Sequence, residues 1–345
     1  MEARALAEML ARLSRSGEVI VPLEKAKYLK DYLECRTAAK GGRVLRCEDC
    51  GTHAVAYNAC NRRGCPVCSR KNQLNWQVKM RQKLLTTAHH HLVFSFPESI
   101  TDKWIKHPRA TVGELFKAVR KAISKLERER KLTLGTMLVF QSHCQGLAYK
   151  AHVHCLVTNG GLDGENKWQP VGTLPLARMT GWVEKTLSSG SGDQKGWQIH
   201  ETRHRSGGEA VVEYLGQRLN GSVVAASEVK EHDAQVEIQA RSGTVELAVE
   251  TFVLRYLNHI PEKGTVLVRN CGLYSNRQNR RLEAAREQLG VVQKTEAEPW
   301  EERCPRCKGK MHTIMRSLIK PLEFDHQRLG FGIDPPFHWE LSKAS

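Results

Sequence analysis

The run from Lys150 to Val157 sets two histidines, His152 and His154, two residues apart among apolar and β-branched side chains. Side chains of a strand alternate between faces, so both imidazoles point one way while Val153, Cys155 and Val157 point the other. Such a strand is packed on one side and chemical on the other, and its histidines form a ready pair of metal ligands. The plainer reading is an amphipathic strand in which two histidines happen to fall close together.

The rest of the composition says what such a strand could serve. Lysine and arginine number 53 against 37 acidic residues, a formal net charge of +16 over 345 residues. A balance of that sign points to a polyanionic partner, first of all nucleic acid, with a membrane surface the weaker option. No run of about 18 apolar residues is present, and the start at Met1, Glu2, Ala3 and Arg4 lacks a signal-peptide core, so the expectation is a cytoplasmic protein without membrane association.

Eleven cysteines in a reducing compartment call for something other than disulfides. Six form C-x-x-C pairs: Cys47 with Cys50, Cys65 with Cys68, and Cys304 with Cys307. The first two pairs match the knuckles of one four-thiolate structural zinc site. Cys35, Cys60 and His53 are left over, either as part of a second site or as buried free cysteines. Cys304 and Cys307 make half a knuckle that must borrow ligands, with Cys35 or Cys60 as the suggested lenders. Arg36, Arg43, Arg46, Arg62, Arg63 and Arg70 surround these cysteines in sequence and suggest a module that grips DNA backbone, against the alternative of a solvated charged face.

Apolar periodicity predicts helices over residues 2–13, 23–34, 71–86, 110–130, 174–187, 209–219 and 250–258. Strands are expected at 91–96, 137–143, 151–157, 197–203, 223–228, 235–239, 244–248 and 266–269. Residues 188–193 read as an exposed Ser/Gly loop. His89, His90 and His91 read as a strand-edge cluster, against the alternative that one of them is a metal ligand. The runs 137–143 and 151–157 can pair as a hairpin, and either Gln141 or His143 could then complete a three-ligand site with His152 and His154. Neutral N/O donors with open positions suit Mg²⁺ or Mn²⁺ in catalysis. Tyr214, in a helix with Val211, Val212, Leu215 and Leu219 on one side, would by itself be packing; beside a metal strand in a basic protein it is a candidate nucleophile.

Taken in order, Cys35, the Cys47/Cys50 and Cys65/Cys68 knuckles, Cys60, the strand from His91 to Pro97, the His152/His154 strand followed by Gly160 and Gly161, Tyr214, and Gly272 to Arg277 resemble one family across nearly the whole chain. It is the IS91-type group of rolling-circle insertion-sequence transposases, which are HUH enzymes with an N-terminal zinc-binding domain. The resemblance implies an α+β fold: an HUH-type domain with a central antiparallel sheet flanked by helices, preceded by a small Cys-rich zinc-binding domain. The corresponding division is 1–88 for the helical and zinc-binding DNA-binding part, 89–290 for the nuclease and transposase part, and 291–345 for a tail with the half-knuckle.

The resemblance also implies a reaction on single-stranded or hairpin DNA at element ends, in which a tyrosine attacks a metal-polarised phosphodiester and a 5′-phosphotyrosine forms. His152 and His154 match the metal pair, Gln141 stands where the third ligand is expected, and Tyr214 matches the first tyrosine of a Y-x-x-x-Y helix. Arg218 occupies the second tyrosine's place, which implies a single-tyrosine mechanism, two protomers or an inactive copy; either a monomer or a dimer is compatible. Gly64 replaces a histidine that often precedes the third cysteine, removing one ligand from any second N-terminal zinc site. Arg218 and Arg277 join the DNA-binding set, Zn²⁺ is the structural cofactor, and the place of work is the cytoplasm beside the nucleoid. Two other readings share parts of the pattern: a replication-initiator nickase, and a non-catalytic zinc-dependent DNA-binding protein.

Overall fold

In the computed structural model, which describes residues 2–15, 20–187, 196–204, 208–232, 235–240, 243–290 and 302–317, the histidine strand lies inside a large antiparallel sheet. The elements in chain order are α1 (Ala3–Arg15), α2 (Leu23–Glu34), β1 (Gly42–Cys47), β2 (His53–Tyr57), α3 (Ser69–Lys83), β3 (His89–Ser95), α4 (Glu98–Lys106) and α5 (Pro108–Arg130). They continue with β4 (Thr133–His143), β5 (Tyr149–Leu162), β6 (Trp168–Pro170), α6 (Leu176–Leu187), β7 (Gln198–His204) and α7 (Glu209–Asn220). Last come β8 (Val229–His232), β9 (Gln235–Ala240), β10 (Gly243–Ala248), α8 (Val249–Asn258), β11 (Val268–Gly272), α9 (Asn279–Leu289) and β12 (Met311–Ser317). The class is α+β, as expected.

The central sheet runs β11-β4-β5-β3-β7, with β6 paired to β5. Its two faces follow the alternation along β5. Val153, Cys155 and Val157 join Phe94, Leu138 and Phe140 beneath α5, whose Leu115, Phe116, Val119, Ile123 and Leu126 form the expected apolar stripe. The opposite face carries the histidines, and there Met137, Val139 and Leu156 pack against Val211, Val212, Leu215 and Leu219 of α7. Trp76 and Met80 of α3 close that layer.

A second core joins α1, α2 and the Cys35/Cys65/Cys68 region to β8, β9 and α8, with Leu6, Leu10, Tyr32, Phe252 and Tyr256 buried together. The N-terminal helices therefore pack against chain from beyond residue 220. A third sheet, β12-β1-β2, builds the described part of the tail into the N-terminal module around Leu45, Cys47, Cys304 and Met311. Two expectations change. Residues 223–228 are not a strand; they end in a 3₁₀ turn at Ala226–Glu228 before β8. The three histidines of β3 are not at an edge, because β3 pairs with both β5 and β7. The predicted loop at 188–193 lies outside the described residues.

Candidate active site and metal centres

Pairing of β4 with β5 sets Gln141 opposite His152 and Val139 opposite His154, so the three polar side chains share the face that α7 covers. His154 Nε2 lies 2.8 Å from Gln141 Oε1, and the rings of His152 and His154 are 4.9 Å apart. Tyr214 reaches the same spot from above, its ring edge-on to His154 with centroids 5.9 Å apart. It is placed there because Val211, Leu215 and Leu219, one turn apart, hold α7 on the sheet. Gly208 lets the helix begin close in: a Cβ there would sit 2.9 Å from Leu156 Cδ2.

Hydrogen bonds orient the rings. His152 Nδ1 donates to Lys150 O at 2.9 Å, which leaves Nε2 with its lone pair. His154 Nδ1 lies 2.9 Å from His91 Nε2, with the two rings stacked. Sequence reading sets His91 in a strand-edge cluster and does not pair it with His154; its cross-strand neighbour is Leu156, and its contact with His154 is diagonal. Its neighbours serve structure: His90 bonds Glu201 and Asn159, and His89 bonds Tyr274. His143, the alternative third ligand, goes elsewhere. An irregularity between Gln141 and His143 breaks the alternation, and His143 packs on the ring of His259, 4.6 Å between centroids.

Two imidazole nitrogens and one amide oxygen could hold a divalent ion. Octahedral bonds of about 2.1 Å put neighbouring ligand atoms about 3 Å apart, close to the separation of Gln141 Oε1 and His154 Nε2. Metal binding through His154 Nε2 requires the proton on Nδ1, so His91 Nε2 would then accept it.

The cysteines group differently from the spacing. Cys47 and Cys50 meet Cys304 and Cys307, while Cys65 and Cys68 meet Cys35 and Cys60. This corrects the single site of Cys47, Cys50, Cys65 and Cys68, and it also corrects the loan of Cys35 or Cys60 to the tail. The first cluster forms because β1 pairs with β12, bringing Cys47 opposite Met311 and two similar turns face to face. In one turn Gly51 N donates to Cys47 O, in the other Lys308 N donates to Cys304 O, and both donors have left-handed φ. The second cluster uses the end of α2 and the start of α3 and is more buried. Gly64, in the histidine's place, is a left-handed turn whose carbonyl accepts from Tyr256 Oη at 2.6 Å; four cysteines complete this cluster without a histidine.

Sulfur separations of 3.5 Å for Cys47–Cys307, 3.3 Å for Cys50–Cys307 and 3.6 Å for Cys60–Cys68 fit thiolates around one ion. Tetrahedral zinc with bonds of about 2.3 Å places them about 3.8 Å apart, whereas a disulfide needs about 2 Å.

Residues 6–96 match the family described as "Transposase zinc-binding domain", and residues 135–187 and 182–281 match the family described as "Putative transposase". The chain belongs to the IS91-type transposase family. The transposase is 24% identical over 343 residues to a protein named "Putative transposase y4qJ" from Sinorhizobium fredii, covering 81% of this chain and 86% of that protein. It is also 24% identical over 286 residues to "Transposase for insertion sequence element IS801" from Pseudomonas savastanoi pv. phaseolicola, covering 71% and 69%. No solved structure matches. No described helix is long and apolar enough to cross a membrane.

The arginines expected to hold DNA are spread over this transposase. Arg43 is paired with Glu302 and Arg62 with Asp31, so both serve the fold at least in part. Arg46, Arg63 and Arg70 are exposed and Arg36 is half-buried. Arg277 lies on a separate basic cleft with Arg120, Lys131 and Arg281. The side chain of Arg218 lies outside the described residues.

Proposed function

We propose that this transposase cleaves and rejoins single-stranded DNA at the ends of its element through Tyr214, in the manner of metal-dependent HUH strand transferases. The observation that carries the reading is the convergence of Tyr214, His154, His152 and Gln141 on one face, from three elements, with the tyrosine ring 5.9 Å from that of His154. His152, His154 and Gln141 would hold Mg²⁺ or Mn²⁺, which when bound supplies a Lewis acid to a non-bridging phosphate oxygen.

Tyr214 is the nucleophile. Its phenolic oxygen, losing its proton, forms the new bond to phosphorus; the bond to the 3′ oxygen breaks, and that oxygen takes up a proton and leaves as a free 3′-OH. The strand is held as a 5′-phosphotyrosine, an ester of similar energy to the bond broken, so a later 3′-OH can reverse the step onto a new strand. The sheet and α7 position the reacting groups, and the basic residues track the backbone. The division into a zinc-binding DNA-binding part, a nuclease part and a tail belongs to the same proposal.

With Mn²⁺ and labelled single-stranded DNA from the element's end, the protein should give a detergent-stable adduct that Tyr214→Phe lacks. Equal labelling of the Phe variant would remove Tyr214 from the role. His152→Ala should abolish the adduct without changing zinc content, because the thiolate clusters use other residues.

A further inference from the structure

A cavity of about 490 Å³ opens between the N-terminal module and the catalytic sheet. Gln141, the side chain bonded to His154, forms part of its lining, so the cavity borders the proposed reaction centre at that residue. Val112, Phe140 and Leu267 give it an apolar base. Six lysine and arginine side chains line it against one carboxylate, Glu262. Lys106 at the end of α4 and Lys263 after α8 line it and are exposed. The half-buried ring of Tyr28 also lines it, with the Arg62 guanidinium 5.4 Å and the Lys25 ammonium 5.9 Å from its centroid, and Lys25 Nζ donates to Ile260 O at 2.8 Å.

An apolar base, a flat aromatic face and a cationic rim match the parts of one nucleotide: a planar base and an anionic phosphate. The volume lies within the range of roughly 300–1,000 Å³ typical of small-ligand sites, the scale of one nucleotide. The walls are also tied together. Tyr32 Oη donates to Arg63 O at 2.6 Å, Tyr256 Oη donates to Gly64 O at 2.6 Å, and Gly64 bridges to Ser222 just after the tyrosine helix. The module and α7 are thus held in register across the cavity.

We infer that this cavity takes one unpaired nucleotide of the substrate strand next to the scissile phosphate, its base on Tyr28 and its phosphate between Lys106 and Lys263. The inference rests on the proposed cleavage of single-stranded DNA at Tyr214. It makes the zinc module a wall of the substrate site as well as an anchor.

The test uses the full zinc-loaded chain and a short fluorescein-labelled oligothymidylate, alone and with a single 5-iodouracil for photocrosslinking. Tyr28→Ala should weaken binding roughly tenfold, the usual scale for loss of one stacked base. The pair Lys106→Gln and Lys263→Gln should lower the slope of log affinity against log salt by about 0.7, one single-strand phosphate contact. The crosslink should map to the peptide containing Tyr28. If Tyr28→Ala loses zinc, the lysine pair decides, since both side chains are exposed. Unchanged salt slope in the lysine pair, or crosslinks confined to other surfaces, would overturn the inference. Adduct formation on the element-end strand separates the two claims: a Tyr214-dependent adduct that forms with unchanged affinity in all these variants sinks the nucleotide site alone, whereas an adduct that survives Tyr214→Phe sinks the cleavage reading.

Discussion

Cys50→Ser and Cys68→Ser, made singly and together, ask how the thiolates are shared between metal ions. By spacing alone the two cysteines ligate one zinc, and the double variant would lose no more metal than either single one. In the structure Cys50 stands with Cys47, Cys304 and Cys307, and Cys68 with Cys35, Cys60 and Cys65. Each serine should therefore cost one of two ions, and the double variant should lose both, because sites that share no ligand behave additively. Folding consequences should differ as well. A structural zinc site contributes on the order of 10–16 kcal/mol of binding free energy, comparable to the roughly 5–15 kcal/mol stability of a whole domain. Cys68 is buried in the core that holds Tyr32 and Tyr256, so its loss should unfold the packing of α1, α2 and α8. Cys50 is exposed at the edge of the β12-β1-β2 sheet, so its loss should free the tail and leave the central sheet intact. Zinc per chain by mass spectrometry, with thermal unfolding followed by circular dichroism, reads both effects, and Cys307→Ser should copy Cys50→Ser. A double variant that holds as much zinc as Cys50→Ser would refute the grouping.

Three further outcomes follow from single contacts. His91→Ala should weaken Mn²⁺ binding about 10- to 100-fold, as loss of an orienting partner usually does, in a calorimetric titration of the zinc-loaded protein; unchanged affinity would make His91 a packing residue. Gly216→Ala places a Cβ 2.5 Å from Gln77 Cγ, against a side chain that donates to Glu213 O at 2.8 Å, and should cost about 1–3 kcal/mol in denaturant unfolding while slowing Tyr214 labelling; an unaltered midpoint would mean that α3 and α7 are not tightly packed there. His259 is buried, and burial lowers its pKa from about 6.5 to about 4, so its contribution is complete above pH 6.5 and is lost as pH falls toward 4, because only the unfolded chain takes the proton. Stability should drop by about 3 kcal/mol over that window, and His259→Phe should flatten the dependence.

Local patterns carried much of the fold. The α5 stripe, the amphipathic α7 and the alternation in β5 are each set by side chains within a few residues, and each lies where its period places it. What depended on distant pairing was not legible. A C-x-x-C knuckle specifies two ligands and a turn but not the knuckle it meets; that choice is made by β1 pairing with β12, some 260 residues away. Nor could the sequence say that β3 sits between two strands, which turns His91 from an edge residue into a partner of His154. The break after Gln141 is likewise invisible to a period-2 count, and it separates Gln141 from His143.

The proposed chemistry depends on how many tyrosines can serve it. Of the seven in the chain, Tyr32, Tyr256 and Tyr274 are deeply buried, and desolvation raises their phenolic pKa, which disfavours the phenolate that attack requires. Tyr149 lies against Trp104 and His259, with Asn258 donating to its hydroxyl. Tyr57 lies on β2 of the N-terminal module, and the ring of Tyr28 lies beside Arg62 and Lys25, whereas that of Tyr214 lies against His154. One turn beyond Tyr214, where a second nucleophile would share its helix face, the chain has Arg218, which cannot form a phosphotyrosine. On this chemistry one chain holds one covalent strand end at a time. Its release must then come from a 3′-OH attacking that single ester, or the second strand end must be held by a second copy of the chain.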